Sequence, residues 1–216
     1  MRPDINFENT ETLFETRFIK VYDLQYAPGR HYFDASRRAK QDLIALKGDE
    51  EAKTMLPDAV TCFVVIRLPG GDDRLLLTYE FRYPAGRFLL SPIAGLIDPE
   101  DREAPEPILT TARRELTEET GLSVGEGDRV FTVASLLYST PGMTDECNAT
   151  AAIILRRDTL DGIRQDGAVG TECFDGWLAV TRAEAEEMLR TGRDPKGNFF
   201  SVYTWCALMW FTRGEY

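Results

Sequence analysis

The stretch "EPILTTARRELTEETGL", residues 106 to 122, constrains the fold more than any other part of the chain. Pro107 suits a first helical position, Glu106 beside it favours a helix N-terminus, and Gly121 is a natural stop, so a helix is predicted over about 107–120. At about 100° per residue, Glu115, Glu118 and Glu119 share an arc of roughly a hundred degrees, and Ile108, Leu109, Ala112 and Leu116 occupy the adjoining one. One edge of the helix is set to pack while its neighbour carries three carboxylates. Like charges three and four residues apart repel, and negative charge near a helix C-terminus opposes the macrodipole. Two readings follow. The edge is a solvated surface face, or a divalent cation compensates it, since Mg²⁺ binds through a few carboxylates and keeps coordination sites for water and substrate phosphates. Arg114 can meet Glu118 one turn later and hold it in orientation.

Around this helix the pattern is one of strands. Residues 12–38 mix aromatic and β-branched residues with polar ones about a Pro28-Gly29 turn signal, which predicts a hairpin or small antiparallel sheet. A short polar linker runs to about Pro57. "AVTCFVVIRL" (59–68), a Gly70-Gly71-Asp72-Asp73 turn and "RLLLTYEFRY" (74–83) form two strand-like runs; 130–140, 148–157 and 173–181 add three more. Further helices are predicted at 182–192, with Gly192 as the stop, and at about 199–213.

Composition narrows the partners. The chain has 216 residues, and Lys+Arg 25 against Asp+Glu 36 leaves a formal net charge of -11, which repels nucleic-acid backbones and anionic membrane surfaces alike. A small, highly charged substrate remains compatible, because a local Arg or a bound cation reverses the sign of one cleft. No apolar h-region or bilayer-length run is present, so a cytoplasmic protein is expected. Cys62, Cys147, Cys173 and Cys206 are scattered and His31 is the only histidine, so neither a zinc site nor a disulfide framework is expected, and four buried thiols are. His31 is expected on the surface or in packing.

"RELTEETGL" resembles the second half of the Nudix box, REUxEExGU with U aliphatic, and Glu106 stands at the box's first glutamate, eight residues before Arg114. The box places its first glycine six residues before that glutamate, where this chain has Glu100; the glycine is Gly95 in "IAGLID", so the loop is about five residues longer. "AGLID" (94–98), the Arg82 of "YEFRYP" (79–84) and "STPGMTDE" (139–146) are similar to elements of the ADP-ribose pyrophosphatase branch, although Ser91 stands where that branch usually has a glutamate. The resemblance covers roughly residues 58–210.

It implies an α+β fold, the Nudix α/β/α sandwich with a mixed sheet over 58–216, preceded by a β-rich region at 1–57 that contributes to a homodimer and to the adenine-ribose pocket. Phe18, Tyr22, Tyr32 and Phe33 could stack on a base, but at strand spacing they are expected in the core. The implied activity is metal-dependent hydrolysis of a nucleoside diphosphate sugar, ADP-ribose above others, with Mg²⁺ or Mn²⁺. Glu115 and Glu119 would be metal ligands with the Ala94 carbonyl, Glu118 a ligand or the support of one, and Arg114 its orienting partner among the catalytic residues. Arg82 would contact phosphate or pair with an acid near it. The base is expected from the late loop "RQDGAVGTECFDG" (164–176): Glu172 first, Asp166 behind it, and Glu146, counted with the substrate-binding residues, third. Two other classes stay open: a Nudix-like module that senses a ligand without turnover, and an interaction domain in which the acidic helix is only a solvated face.

Overall fold

The computed structural model describes residues 3–167, 170–214 and 216, and the chain divides into two compact units. The first comprises residues up to Asp58 together with Leu136–Asn148; the second comprises Ala59–Ser135 and Ala149–Tyr216.

In the first unit, β1 (Thr10–Glu15), β2 (Lys20–Ala27) and β3 (Arg30–Ser36) form an antiparallel sheet in that order. Its small core is Tyr22, Leu24 and Leu43. Leu43 comes from the segment read as a linker, which instead forms two 3₁₀ turns and the short helix α1 (Asp49–Thr54). Of the four aromatics expected inside, only Tyr22 is buried; Phe18, Tyr32 and Phe33 are exposed, because a three-stranded sheet buries little more than one face. Arg38 is the polar centre of this unit, pairing with Asp58 at 2.7 Å and Asp145 at 3.2 Å.

The second unit is built on a seven-stranded sheet. β4 (Ala59–Leu68), β5 (Asp72–Arg82), β8 (Arg129–Tyr138), β9 (Cys147–Arg156) and β10 (Phe174–Val180) run in the order β10-β5-β4-β9-β8, while β6 (Arg87–Ser91) pairs with β5 and β7 (Ile93–Leu96) with β4. The two-residue period of a strand splits β4 between two cores. Val60, Cys62, Val64 and Ile66 join a cluster with Ala112 and Leu116 on one face, and Phe63 and Val65 join a cluster on the other. The first cluster lies under α3 (Pro107–Thr120), which follows the one-turn α2 (Pro99–Arg102); the second lies under α4 (Arg182–Thr191) and α5 (Val202–Arg213). This is an α/β/α arrangement with helices on both faces.

The three longer helices end as their sequence dictates. Gly121, Gly192 and Gly214 close α3, α4 and α5 in the left-handed region, and Thr181 with Glu184 forms a capping box at the start of α4. The cysteines are all free thiols; Cys62 and Cys147 are buried, whereas Cys173 is exposed because it sits on the loop leading into β10. Among the described residues no helix is long and apolar enough to cross a membrane.

Candidate active site

The packed face of α3 is wider than its apolar residues alone indicate. Thr111, Ala112, Glu115, Leu116, Glu119 and Thr120 are all buried, so two of the three clustered carboxylates lie beneath the helix, not on a solvated edge. Glu118 is the outer one, with about a third of its side chain exposed.

The ground beneath is β7. Glu119 accepts a hydrogen bond from the Ala94 N–H at 3.0 Å and one from the Thr78 hydroxyl at 3.4 Å. The Glu115 carboxylate stands over Gly95 so closely that a Cβ there would lie 1.8 Å from its Oε1. A residue with any side chain at position 95 would therefore expel the Glu115 carboxylate.

One guanidinium organises the outer half. Arg114 reaches Glu115 at 2.7 Å, Glu118 at 2.8 Å, Asp101 at 3.0 Å and Asp98 at 3.3 Å, and also donates to the Leu96 carbonyl at 2.9 Å. Burial works against its charge, but Glu115, Asp101, Glu118 and Asp98 together hold its pKa above the usual value. Asp98 and Asp101 flank and form α2, inside the loop that is longer than the box pattern. Asp101 also accepts from Thr111 at 3.0 Å, so the extra residues clamp α3 instead of hanging free.

The electrostatic balance is nevertheless short of positive charge. Burial pushes the Glu119 carboxyl well above the usual range against the pull of the Ala94 amide, and Glu80, Glu115 and Glu172 push it further. Burial likewise pushes Glu115 up to about 7 against Arg114, with Glu118 and Glu172 adding to the rise. Glu80 is raised by burial, held down by Arg82 and raised again by Glu172. Five acidic groups from α3, β5 and the late loop thus share one field.

Two anchors bring Glu172 there: Phe81 N–H bonds to the Cys173 carbonyl at 2.8 Å, and the Tyr83 hydroxyl to the Thr171 carbonyl at 3.2 Å. The loop's other end is fixed to α3. Arg164 N–H caps the Thr120 carbonyl at 2.9 Å, and Gly167 lies so close to the Glu118 carbonyl that a Cβ would come within 2.2 Å.

A model of the NUDIX domain matches residues 55–201. The chain belongs to the Nudix hydrolases. No curated protein sequence matches it. The crystal structure of an ADP compounds hydrolase is similar with a TM-score of 0.56 and 19% identity, covering 99% of this chain and 94% of that one, a likeness of fold.

The Nudix box residues Glu115, Glu118, Glu119 and Arg114 are brought together with Ala94 on β7, and Glu172 joins them through its field. Arg82 does not reach the box directly; it pairs with Glu80 at 2.5 Å, and Glu80 shares a sheet face with Thr78. Asp166 pairs with Arg164 at 3.4 Å, both largely exposed. Glu146 belongs to the other unit, where it pairs with Arg37 at 3.3 Å. Sequence reasoning missed Thr78, Glu80, Asp98 and Asp101. Glu80 and Asp98 stand inside the "YEFRYP" and "AGLID" stretches without having been singled out there, Asp101 is signalled by its acidity within the lengthened loop, and Thr78 carries no motif.

The donor set suits a hard divalent cation. Every donor is an oxygen, burial and neighbouring carboxylates make charge on Glu115 and Glu119 costly until a cation meets it, and Gly95 keeps the space a Cβ would fill. Among the described residues no three acidic, His or Cys side chains are already splayed as a ligand cage, since Arg114 draws Glu115 and Glu118 to itself.

Proposed function

We propose that this Nudix hydrolase cleaves the pyrophosphate of a nucleoside diphosphate sugar, ADP-ribose to AMP and ribose 5-phosphate above others, with Mg²⁺ or Mn²⁺. The observation that carries the reading is the burial of Glu115 and Glu119 side by side against β7, with Glu172 close enough to raise both.

Glu115, Glu119 and the Ala94 carbonyl would hold the cation. Ala94 supports this because an extended residue directs its N–H and C=O to the same side of its strand, and that N–H already faces Glu119. Bound there, the cation would offset the charge on the pyrophosphate and make a water more acidic. Arg114 keeps Glu118 and Glu115 oriented from one side, and Asp101 fixes Arg114 in turn. Arg82, held by Glu80, is offered to a phosphate oxygen, where a guanidinium gives two parallel hydrogen bonds. Glu172 takes the proton of the attacking water, as the acidic residue of the late loop whose charge reaches the box.

The first unit, with Leu13, Phe14, Phe18, Ile19 and Phe33 exposed, is read as the dimerisation element of a homodimer. Light scattering on the purified protein tests that reading, and a monomeric mass across working concentrations removes it. For the activity, ADP-ribose, other nucleoside diphosphate sugars, dinucleotides and nucleoside triphosphates are incubated with the protein and Mg²⁺ or Mn²⁺, and the products separated. Release of AMP and ribose 5-phosphate is expected. Turnover of another compound with ADP-ribose untouched reassigns the substrate, and binding without any turnover makes the protein a sensor.

A further inference from the structure

β6 runs beside the start of α5, where Thr204 donates from its hydroxyl to the Leu90 carbonyl at 2.7 Å. There a cavity of about 420 Å³ is lined by Arg87, Leu89, Arg193, Gly197, Phe199 and Phe200, among others. Its size is that of a small-molecule site.

Two arginines line this cavity, and neither Arg87 nor Arg193 forms an ion pair among the described residues. Arg87 donates only to the Ala85 carbonyl at 3.1 Å. Arg193 donates to the Gly197 carbonyl at 3.1 Å and lies over the Phe199 ring, 3.5 Å from its centroid. Asp194, next to Arg193 in sequence, is buried and accepts instead from the Asn198 N–H at 2.7 Å. Arg87 also sits directly opposite Arg82 in the β5–β6 register, a like-charge pairing that repels, and Glu80 relieves only Arg82. Phe199 keeps 66% of its surface in solvent. The first turn of α5, whose dipole favours anions, begins two residues past Phe200.

Two guanidiniums that meet no carboxylate among the described residues, beside exposed aromatic surface, suit a ligand that is anionic at one end and planar at the other. We propose that this cavity binds a nucleoside monophosphate, with Arg87 and Arg193 taking the phosphate and Phe199, Phe200 and Leu89 the base. Guanidinium forks match phosphate oxygens in pairs, and flat rings stack on a phenyl face. The site lies outside the Nudix box and does not depend on the proposed hydrolysis.

The test is calorimetric titration of AMP into the full-length protein in EDTA, so that no turnover contributes. Tryptophan fluorescence is read in parallel, because the Trp205 ring lies 6.3 Å from Phe200. Saturable binding is expected with a fluorescence change. Arg87→Gln and Arg193→Gln should each weaken it about tenfold, the loss of one charge-assisted contact. Phe199→Ala should weaken AMP but not inorganic phosphate, and Glu119→Gln should leave binding at this site intact. Circular dichroism and melting curves verify that the variants fold. Unchanged AMP binding in both arginine variants, absence of AMP binding, or adenosine binding as tightly as AMP overturns the proposal. A negative substrate panel would leave it standing, since the readout is binding alone.

Discussion

Glu119 is a carboxyl almost without solvent, supported by one amide and one hydroxyl, and such a group costs stability unless something positive meets it. Glu119→Gln keeps an oxygen for the Ala94 N–H and removes the charge. Turnover should then fall on the order of a hundredfold, while the melting temperature in EDTA should not fall. Wild-type rates from this variant with Mg²⁺ would show that the ligand assignment is wrong. Glu172 makes a separate prediction, because its proposed part is played on the attacking water. Glu172→Gln should lower kcat by about a hundredfold or more with KM little changed. Asp166, tied to Arg164 on the surface, and Glu146, tied to Arg37, are the comparisons: Asp166→Asn and Glu146→Gln should retain most of kcat. A large loss in Asp166→Asn, with Glu172→Gln near wild type, would move the base and leave the box untouched.

At the scale of elements, the site is a helix laid across a short strand, and Gly95 sets how closely they meet. Gly95→Ala would place a methyl 1.8 Å from where Glu115 Oε1 now lies, so the carboxylate must swing out. The expected result is a loss of activity on the order of a hundredfold with the circular dichroism spectrum retained; an active Gly95→Ala enzyme would mean Glu115 is dispensable. α3 could be read from the sequence because its signals are local: Pro107 opens it, Gly121 closes it, and its apolar residues repeat every three or four positions. β4, β5 and β9 were legible for a similar reason, as continuous runs of β-branched and aliphatic residues. β6 and β7 were not. "RFLLSPIAGL" is two short apolar pieces joined at Pro92, with no period long enough to separate strand from loop. α2 is a single turn, too short to carry a pattern. The same division runs through the site. Arg114 and its three glutamates share one helix and one spacing, whereas Thr78, Glu80, Asp98 and Asp101 reach them only through the pairing of strands and the folding of a loop.

For the whole molecule, these buried acids tie stability to pH and to cations. Glu115 has an ordinary value of 4.5 and is pushed up to about 7 in the fold, so the native state holds that proton more tightly than the unfolded chain does. Its contribution to stability in metal-free protein is complete below about 4.5 and is lost as pH rises through about 7. The melting temperature in EDTA should therefore fall between about pH 5 and about pH 8, and Glu115→Gln should flatten the slope. An equal slope in that variant would place the titration elsewhere. At neutral pH, Mg²⁺ or Mn²⁺ should raise the melting temperature, and the Glu115→Gln, Glu119→Gln double variant should lose the rise. An equal rise in both proteins would mean that the cation acts at another place. Arg114 gives this linkage a particular character. Since one guanidinium holds both Glu115 and Glu118, an ion bound by the proposed ligands would have to win those oxygens from a resident rival. The affinity that results would be a difference between two attractions, with Arg114 as the ion's competitor for the same carboxylates.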